Sequence, residues 1–185
     1  MGMAIAFLQL AILLSAPAGK RPSARPASPG LGQRIAARAS SFVGAESLEL
    51  PHDDCSGFVE LVYRREQVRL VGSSRELRQS AVRRNALRKG RARPGDLVFF
   101  RDTIPGKRGI THVGIVESVA KGGETTFVHR SRTGVRRSRL DLARRRTGRD
   151  ARGLLHNDVL RGGPRPRLAG ELFAGFAAAE QLARN

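Results

Sequence analysis

The hydrophobic periodicity of the chain changes at Pro94-Gly95, and that change limits the fold to one class. Before it, apolar residues recur at helical spacing. Ile35, Ala36, Ala39 and Phe42 share one face over residues 33–43, and Cys55, Phe58, Val59, Val62 and Tyr63 share one face of a second stretch. A capping aspartate, Asp53 or Asp54, opens that second helix. A third helix is predicted from Ser73 to Lys89, strongly basic, capped by Ser73 or Ser74 and stopped by Gly90. After Pro94-Gly95 the pattern is that of strands: residues 96–100, 111–119 and 124–129, with a further one over 134–140. Lys121-Gly122-Gly123 is read as a tight turn, with two residues between the strands if Ala120 pairs with Gly123. A final amphipathic helix is predicted over about 168–182. Helices followed by an antiparallel sheet describe an α+β domain.

The domain is expected to occupy 31–185. Residues 1–18 read as a signal-peptide-like segment: an apolar run from Ala4 to Leu14, then Ser15-Ala16-Pro17-Ala18, without a basic start. Residues 19–30 form a Pro/Arg-rich linker. This organisation suggests a secreted, periplasmic or cell-envelope protein. The 34 Lys+Arg against 16 Asp+Glu give a net charge of +18. Such a field favours polyanions (nucleic acid, the anionic lipid of a membrane surface or an anionic wall polymer), although arginines on solvated faces would give the same charge. With no Trp and one Tyr, stacking platforms for bases are scarce, and nucleic-acid binding is not expected. Nothing suggests more than a monomer.

Three residues carry the chemistry. Cys55 is the only cysteine and lies in the first turn of the second helix. Unpaired backbone N–H groups and the helix dipole at such a position favour a thiolate. The competing reading is a small buried core residue, but Asp54-Cys55-Ser56-Gly57 is a polar, tight turn. Asp54 and Ser56 support the backbone there, and the Cys55 N–H can stabilise an oxyanion. Strand parity puts His112, Gly114 and Val116 on one face. If Ala120 pairs with Gly123, His129 falls opposite Gly114, one diagonal step from His112 and on the same face. A thiolate, a base and a group that orients the base form a nucleophilic triad. Asn157 is the alternative third residue. Arg130 and Arg132 could meet substrate carboxylates, though solvated surface arginines would look the same. No metal or cofactor is required.

Taken in order, Asp54-Cys55-Ser56-Gly57-Phe58-Val59, Arg93-Pro94-Gly95-Asp96-Leu97-Val98-Phe99-Phe100, Thr111-His112-Val113-Gly114-Ile115-Val116 and Phe127-Val128-His129 resemble the successive motifs of NlpC-type cell-wall peptidases. The match covers residues 33–140. The resemblance implies a papain-like fold in which the nucleophile cysteine starts a helix packed on a small antiparallel sheet. It implies Cys55 as nucleophile, His112 as base and His129 as orienting residue, acting on peptidoglycan stem peptides. It gives Asp96 and the two phenylalanines a structural role. The chain departs from the family before the cysteine, where Phe42 to Leu50 contains no tyrosine. It is also similar to the CHAP amidases in Ile115-Val116-Glu117-Ser118-Val119, which makes a CHAP-type amidase or peptidase the first alternative. A non-catalytic basic wall-binding protein is the second.

Overall fold

The computed structural model describes residues 28–184, so the signal-like segment and most of the linker lie outside the described residues. Three helices come first: α1 (Leu31–Ser40), α2 (Cys55–Arg65) and α3 (Ser74–Arg83). Strands β1 (Leu97–Arg101), β2 (Ile110–Val119), β3 (Thr125–Ser131) and β4 (Gly134–Leu140) follow. The remainder holds β5 (Val159–Arg161), β6 (Arg167–Leu168), a short α4 (Ala169–Leu172), β7 (Phe173–Ala177) and a short α5 (Ala179–Leu182). The main sheet is antiparallel in the order β4-β3-β2-β1-β7, and β5 and β6 make a separate ribbon. Among the described residues no helix is long and apolar enough to cross a membrane.

The sheet has a core on each face, which is why β1 reads as an unbroken apolar run. Leu97 and Phe99 pack with Val113, Ile115 and Val128 against Phe58, Val59, Val62 and Tyr63 of α2. Val98 and Phe100 face the other way, with Val116, Phe127, Leu140, Leu172 and Phe176. Two sets of buried polar contacts tie the turn before β1 to its surroundings. The Tyr63 hydroxyl donates to the Gly95 carbonyl at 2.6 Å. Asp96, fully buried, accepts from the Arg88 guanidinium and from the Arg93 and Ala179 backbone N–H groups. The Arg-Pro-Gly-Asp stretch is therefore a joint between helix, sheet and C-terminal segment.

Two predicted helices differ from the structure, for one reason. Helix α3 ends at Arg83 rather than Lys89. Asn85 turns the chain through a left-handed conformation (φ 50°), as residues just past helix ends commonly do. The chain then runs extended beside the C-terminal strand: Arg88 N–H donates to Phe176 O, and Ala178 N–H donates to Ala86 O. The expected helix over 168–182 is the short α4, then β7, then the short α5. Phe173-Ala174-Gly175-Phe176-Ala177 suits either period, but β1 has an outer edge whose backbone groups are buried and need partners. Strand β7 supplies them, with Val98 opposite Phe176 and a register shift at Ala174, beside Gly175, which adopts φ 130°.

Candidate active site

Helix α2 begins at the cleft because its first turn is pinned from two sides. The Asp54 carboxylate accepts from Ser56 N at 2.8 Å, Gly57 N at 2.9 Å and Ser56 Oγ at 2.7 Å. It fills the N-cap role expected of it and neutralises donors that would otherwise be unpaired. Gly57 lies flat against the preceding loop: a Cβ there would stand 1.9 Å from the His52 carbonyl oxygen. Cys55 is thus held at the helix start, half-buried, with the Val113 N–H directed at its sulfur. That N–H is free because the β2–β3 ladder ends at Ile115–Val128 while both strands continue. The opening between them is the floor of a cleft of about 1490 Å³ lined by Cys55, His112 and His129.

The two histidines meet through a pair of offsetting irregularities. The β2–β3 turn has three residues, not two: Ala120 N–H donates to Glu124 O, and Gly123 closes the turn at φ 99°. Alone, that would turn His129 away from His112. A bulge at Glu117, between the pairs Val116–Phe127 and Ser118–Thr126, shifts the register back by one residue. Glu117 is held in place by the Arg137 guanidinium and the Ser40 hydroxyl. His129 therefore lies against Gly114, where a Cβ would come within 3.2 Å of the His129 Cβ and 2.9 Å of the Phe127 ring. His112 Nε2 and His129 Nδ1 are 2.8 Å apart, with the rings perpendicular and their centroids 4.9 Å apart. His129 Nε2 is 3.1 Å from Ser138 Oγ on β4. Phe100 and Phe127 pack beside the two imidazoles.

Burial dominates the electrostatics. It pushes the Cys55 thiol up to about 11, against the N–H groups at the helix start and Val113, and with help from the Asp54 charge. The dipole of α2 is not sufficient by itself to make a thiolate. Burial also lowers His112 to about 4, only partly opposed by Asp54. His129 is lowered well below the usual histidine range by burial, then by His112 and by Arg136. At rest the cleft holds a thiol and two neutral imidazoles. A proton moved from sulfur to His112 creates two opposite charges together, so net charge is conserved in a site that disfavours either ion alone.

The other expected residues divide. Arg130 pairs with Asp53 at 2.9 Å and donates to the Glu46 carbonyl at 2.6 Å. Arg132 is exposed on the cleft wall and has no carboxylate partner among the described residues. Asn157 is buried away from the histidines. Its side chain accepts from Asp141 N and donates to the Asp141, Arg144 and Thr147 carbonyls, which shapes the loop after β4. His156 lies in the same loop between Asp141 (3.1 Å) and Asp150 (3.2 Å). Ser138 and Arg136 carried no motif in the sequence. Only the pairing of β3 with β4, Phe127 opposite Ser138 and His129 opposite Arg136, brings them to the site. Among the described residues no group of three or more His, Cys, Asp or Glu side chains is arranged to hold a metal.

A model of the NlpC/P60 family matches residues 41–147. Among solved structures the chain is similar to NlpC1 from Trichomonas vaginalis (22% identity over 61% of this chain and 40% of that one, TM-score 0.44). It is also similar to an NlpC/P60 family protein from Bacillus cereus (18% identity, 83% and 41% covered, TM-score 0.48). A third is a Staphylococcus aureus protein described as similar to lipoprotein, NLP/P60 family (18% identity, 90% and 46% covered, TM-score 0.49). The chain spans less than half the length of each. No curated protein matches it.

Proposed function

The chain belongs to the NlpC/P60 family, whose members are generally cysteine peptidases or amidases of the cell wall, and on that premise we propose that it is an endopeptidase cleaving amide bonds in peptidoglycan stem peptides. Cys55 is the nucleophile, His112 the base and His129 the residue that orients it. The 2.8 Å contact between His112 Nε2 and His129 Nδ1 carries this reading. It occupies one nitrogen of His112 and leaves Nδ1 to exchange a proton with Cys55, which lines the same cleft. His129 also takes the place that an acidic or amide residue generally holds in CHAP enzymes, so the amidase reading ranks second.

The reaction is acyl transfer. Substrate binding excludes water. As Cys55 Sγ attacks the carbonyl carbon, its proton passes to His112 Nδ1. The Cys55 backbone N–H, at the start of α2, faces the developing oxyanion, supported by the turn that Asp54 and Ser56 hold. His112 then gives its proton to the leaving amine, and water resolves the acyl-enzyme with His112 as base. Arg132 is available to a stem-peptide carboxylate, whereas Arg130 would have to exchange Asp53 for one. The signal-like start and the family's cell-wall setting support action outside the cytoplasm, in the envelope or medium.

Digestion of purified peptidoglycan with the wild type and with Cys55→Ala, products identified by mass, tests the proposal. A cut within the stem that Cys55→Ala abolishes is the expected result. Release of whole stems from the glycan would favour the amidase. Identical products from both proteins would refute an enzymatic role and leave a wall-binding protein held by charge.

A further inference from the structure

The orienting histidine has its own partner, and the proton chemistry of the site depends on it. His129 is buried, with Nδ1 2.8 Å from His112 Nε2 and Nε2 3.1 Å from Ser138 Oγ. Ser138 is itself buried on β4, opposite Phe127. A neutral imidazole carries one N–H and one lone pair, so the tautomers along this row are linked. For His112 Nδ1 to accept the Cys55 proton, the hydrogen of His112 must be on Nε2, donated to His129 Nδ1. His129 must then carry its own hydrogen on Nε2. A buried N–H needs an acceptor, and Ser138 Oγ is the one within bonding distance among the described residues. In the opposite arrangement His129 would hold its hydrogen on Nδ1 and force that of His112 onto its own Nδ1. No base would remain.

We propose that Ser138 is a positioning residue: by accepting from His129 Nε2, its hydroxyl supports the tautomer of His129 that keeps His112 able to act as a base. This rests on the roles given above to Cys55, His112 and His129. The charged and titratable surroundings agree with it. Arg136 of β4 is paired in register with His129 and lines the cleft, where its charge opposes a proton on the His129 ring. From the N-cap of α2, Asp54 favours charge on His112 instead. β1 and β3 bring the Phe100 and Phe127 rings beside the imidazoles, and Arg130 of β3, also in the cleft wall, is paired with Asp53. The proton taken from sulfur therefore stays on His112, with His112 Nε2–H donating to His129 Nδ1 and His129 Nε2–H donating to Ser138 Oγ. Serine can donate or accept, whereas alanine leaves the Nε2–H of His129 unpaired and favours the unproductive tautomer.

The test uses the full chain with ¹⁵N-labelled histidine, in the wild type, Ser138→Ala and Ser138→Thr. In the wild type the ¹⁵N shifts should put the His129 hydrogen on Nε2. Ser138→Ala should move it to Nδ1, slow alkylation of Cys55 by iodoacetamide at neutral pH about tenfold and lower kcat on a stem peptide by about as much with KM unchanged, the loss expected for one buried hydrogen bond. Ser138→Thr keeps the hydroxyl and should return all three values to within about twofold. An unchanged tautomer and alkylation rate in Ser138→Ala, or a Ser138→Thr that behaves like Ser138→Ala, would overturn the role of the hydroxyl. If the wild-type protein digests no wall material, the enzymatic reading fails by itself, and the histidine shifts still decide on Ser138.

Discussion

Lowering the pH from 7 to 4 should destabilise the fold through the two histidines of the cleft, and the size of the effect follows from their burial. His112 titrates at 6.5 in an unfolded chain and near 4 here, because burial disfavours its cation. Its folded pKa is depressed, so as pH falls the unfolded state takes up the proton first. The neutral ring's contribution is fully present above about pH 6.5 and is lost as pH falls to about 4. At about 1.36 kcal/mol per pH unit, His112 alone accounts for about 3 kcal/mol, a large share of a stability of roughly 5–15 kcal/mol. His129 acts in the same direction. The rings touch, so a proton on one opposes a proton on the other, and the folded pair takes up fewer protons than two independent groups would, which adds to the loss. Urea unfolding followed by far-ultraviolet circular dichroism suits a chain with no Trp. Unfolding free energy measured at half-unit steps should fall more steeply in the wild type than in His112→Gln, which keeps a polar group toward His129 but does not titrate. The two slopes should differ by up to about one proton between pH 6 and 4.5. Equal slopes would mean that His112 is not held neutral in the folded state, and the account of the resting cleft would be wrong.

Three further outcomes follow from contacts elsewhere. Gly57→Ala sets a Cβ 1.9 Å from the His52 carbonyl, so it should displace the start of α2 and abolish both wall digestion and neutral-pH alkylation of Cys55. Arg88→Ala leaves the fully buried Asp96 carboxylate with backbone donors alone, and should cost about 3 kcal/mol in a denaturant titration. Asn157→Ala should lower stability by about 2 kcal/mol or more while wall digestion at room temperature persists, because the Asn157 side chain serves the loop after β4 and not His112.

Much of this could be read in the sequence, and the gaps have physical causes. The polar turn before an apolar helical face located Cys55 at a helix start, since capping chemistry is local. Strand parity put His112 and His129 on one face, but through a register argument that had neither the three-residue turn nor the Glu117 bulge. Each moves the strands by one residue and together they cancel, so the face was right and the route to it was not. Ser138 was invisible because nothing local marks a serine in a strand whose partner is fixed by another turn. The helix expected over 168–182 gives way where Phe173-Ala174-Gly175-Phe176-Ala177 fits both periods and the otherwise unpaired edge of β1, far away in sequence, decides. His156 lies in a loop, and its carboxylate partners, Asp141 and Asp150, follow no period that a sequence shows.

The place of β7 in the sheet has a consequence for the order of events during synthesis. Strand β1 finds its first neighbour, β2, in the hairpin that follows, but the other edge waits for a segment more than seventy residues downstream. Until that segment leaves the ribosome, Leu97-Val98-Phe99-Phe100 presents a row of unpaired backbone groups flanked by large apolar side chains, a template for pairing with another chain. The newly made protein thus passes through an interval in which its cleft strands can already assemble but its sheet is still open to a stranger. A chaperone that binds extended apolar segments would find its target there, and a chain stopped short of Phe173 should accumulate as aggregate rather than as a smaller folded protein.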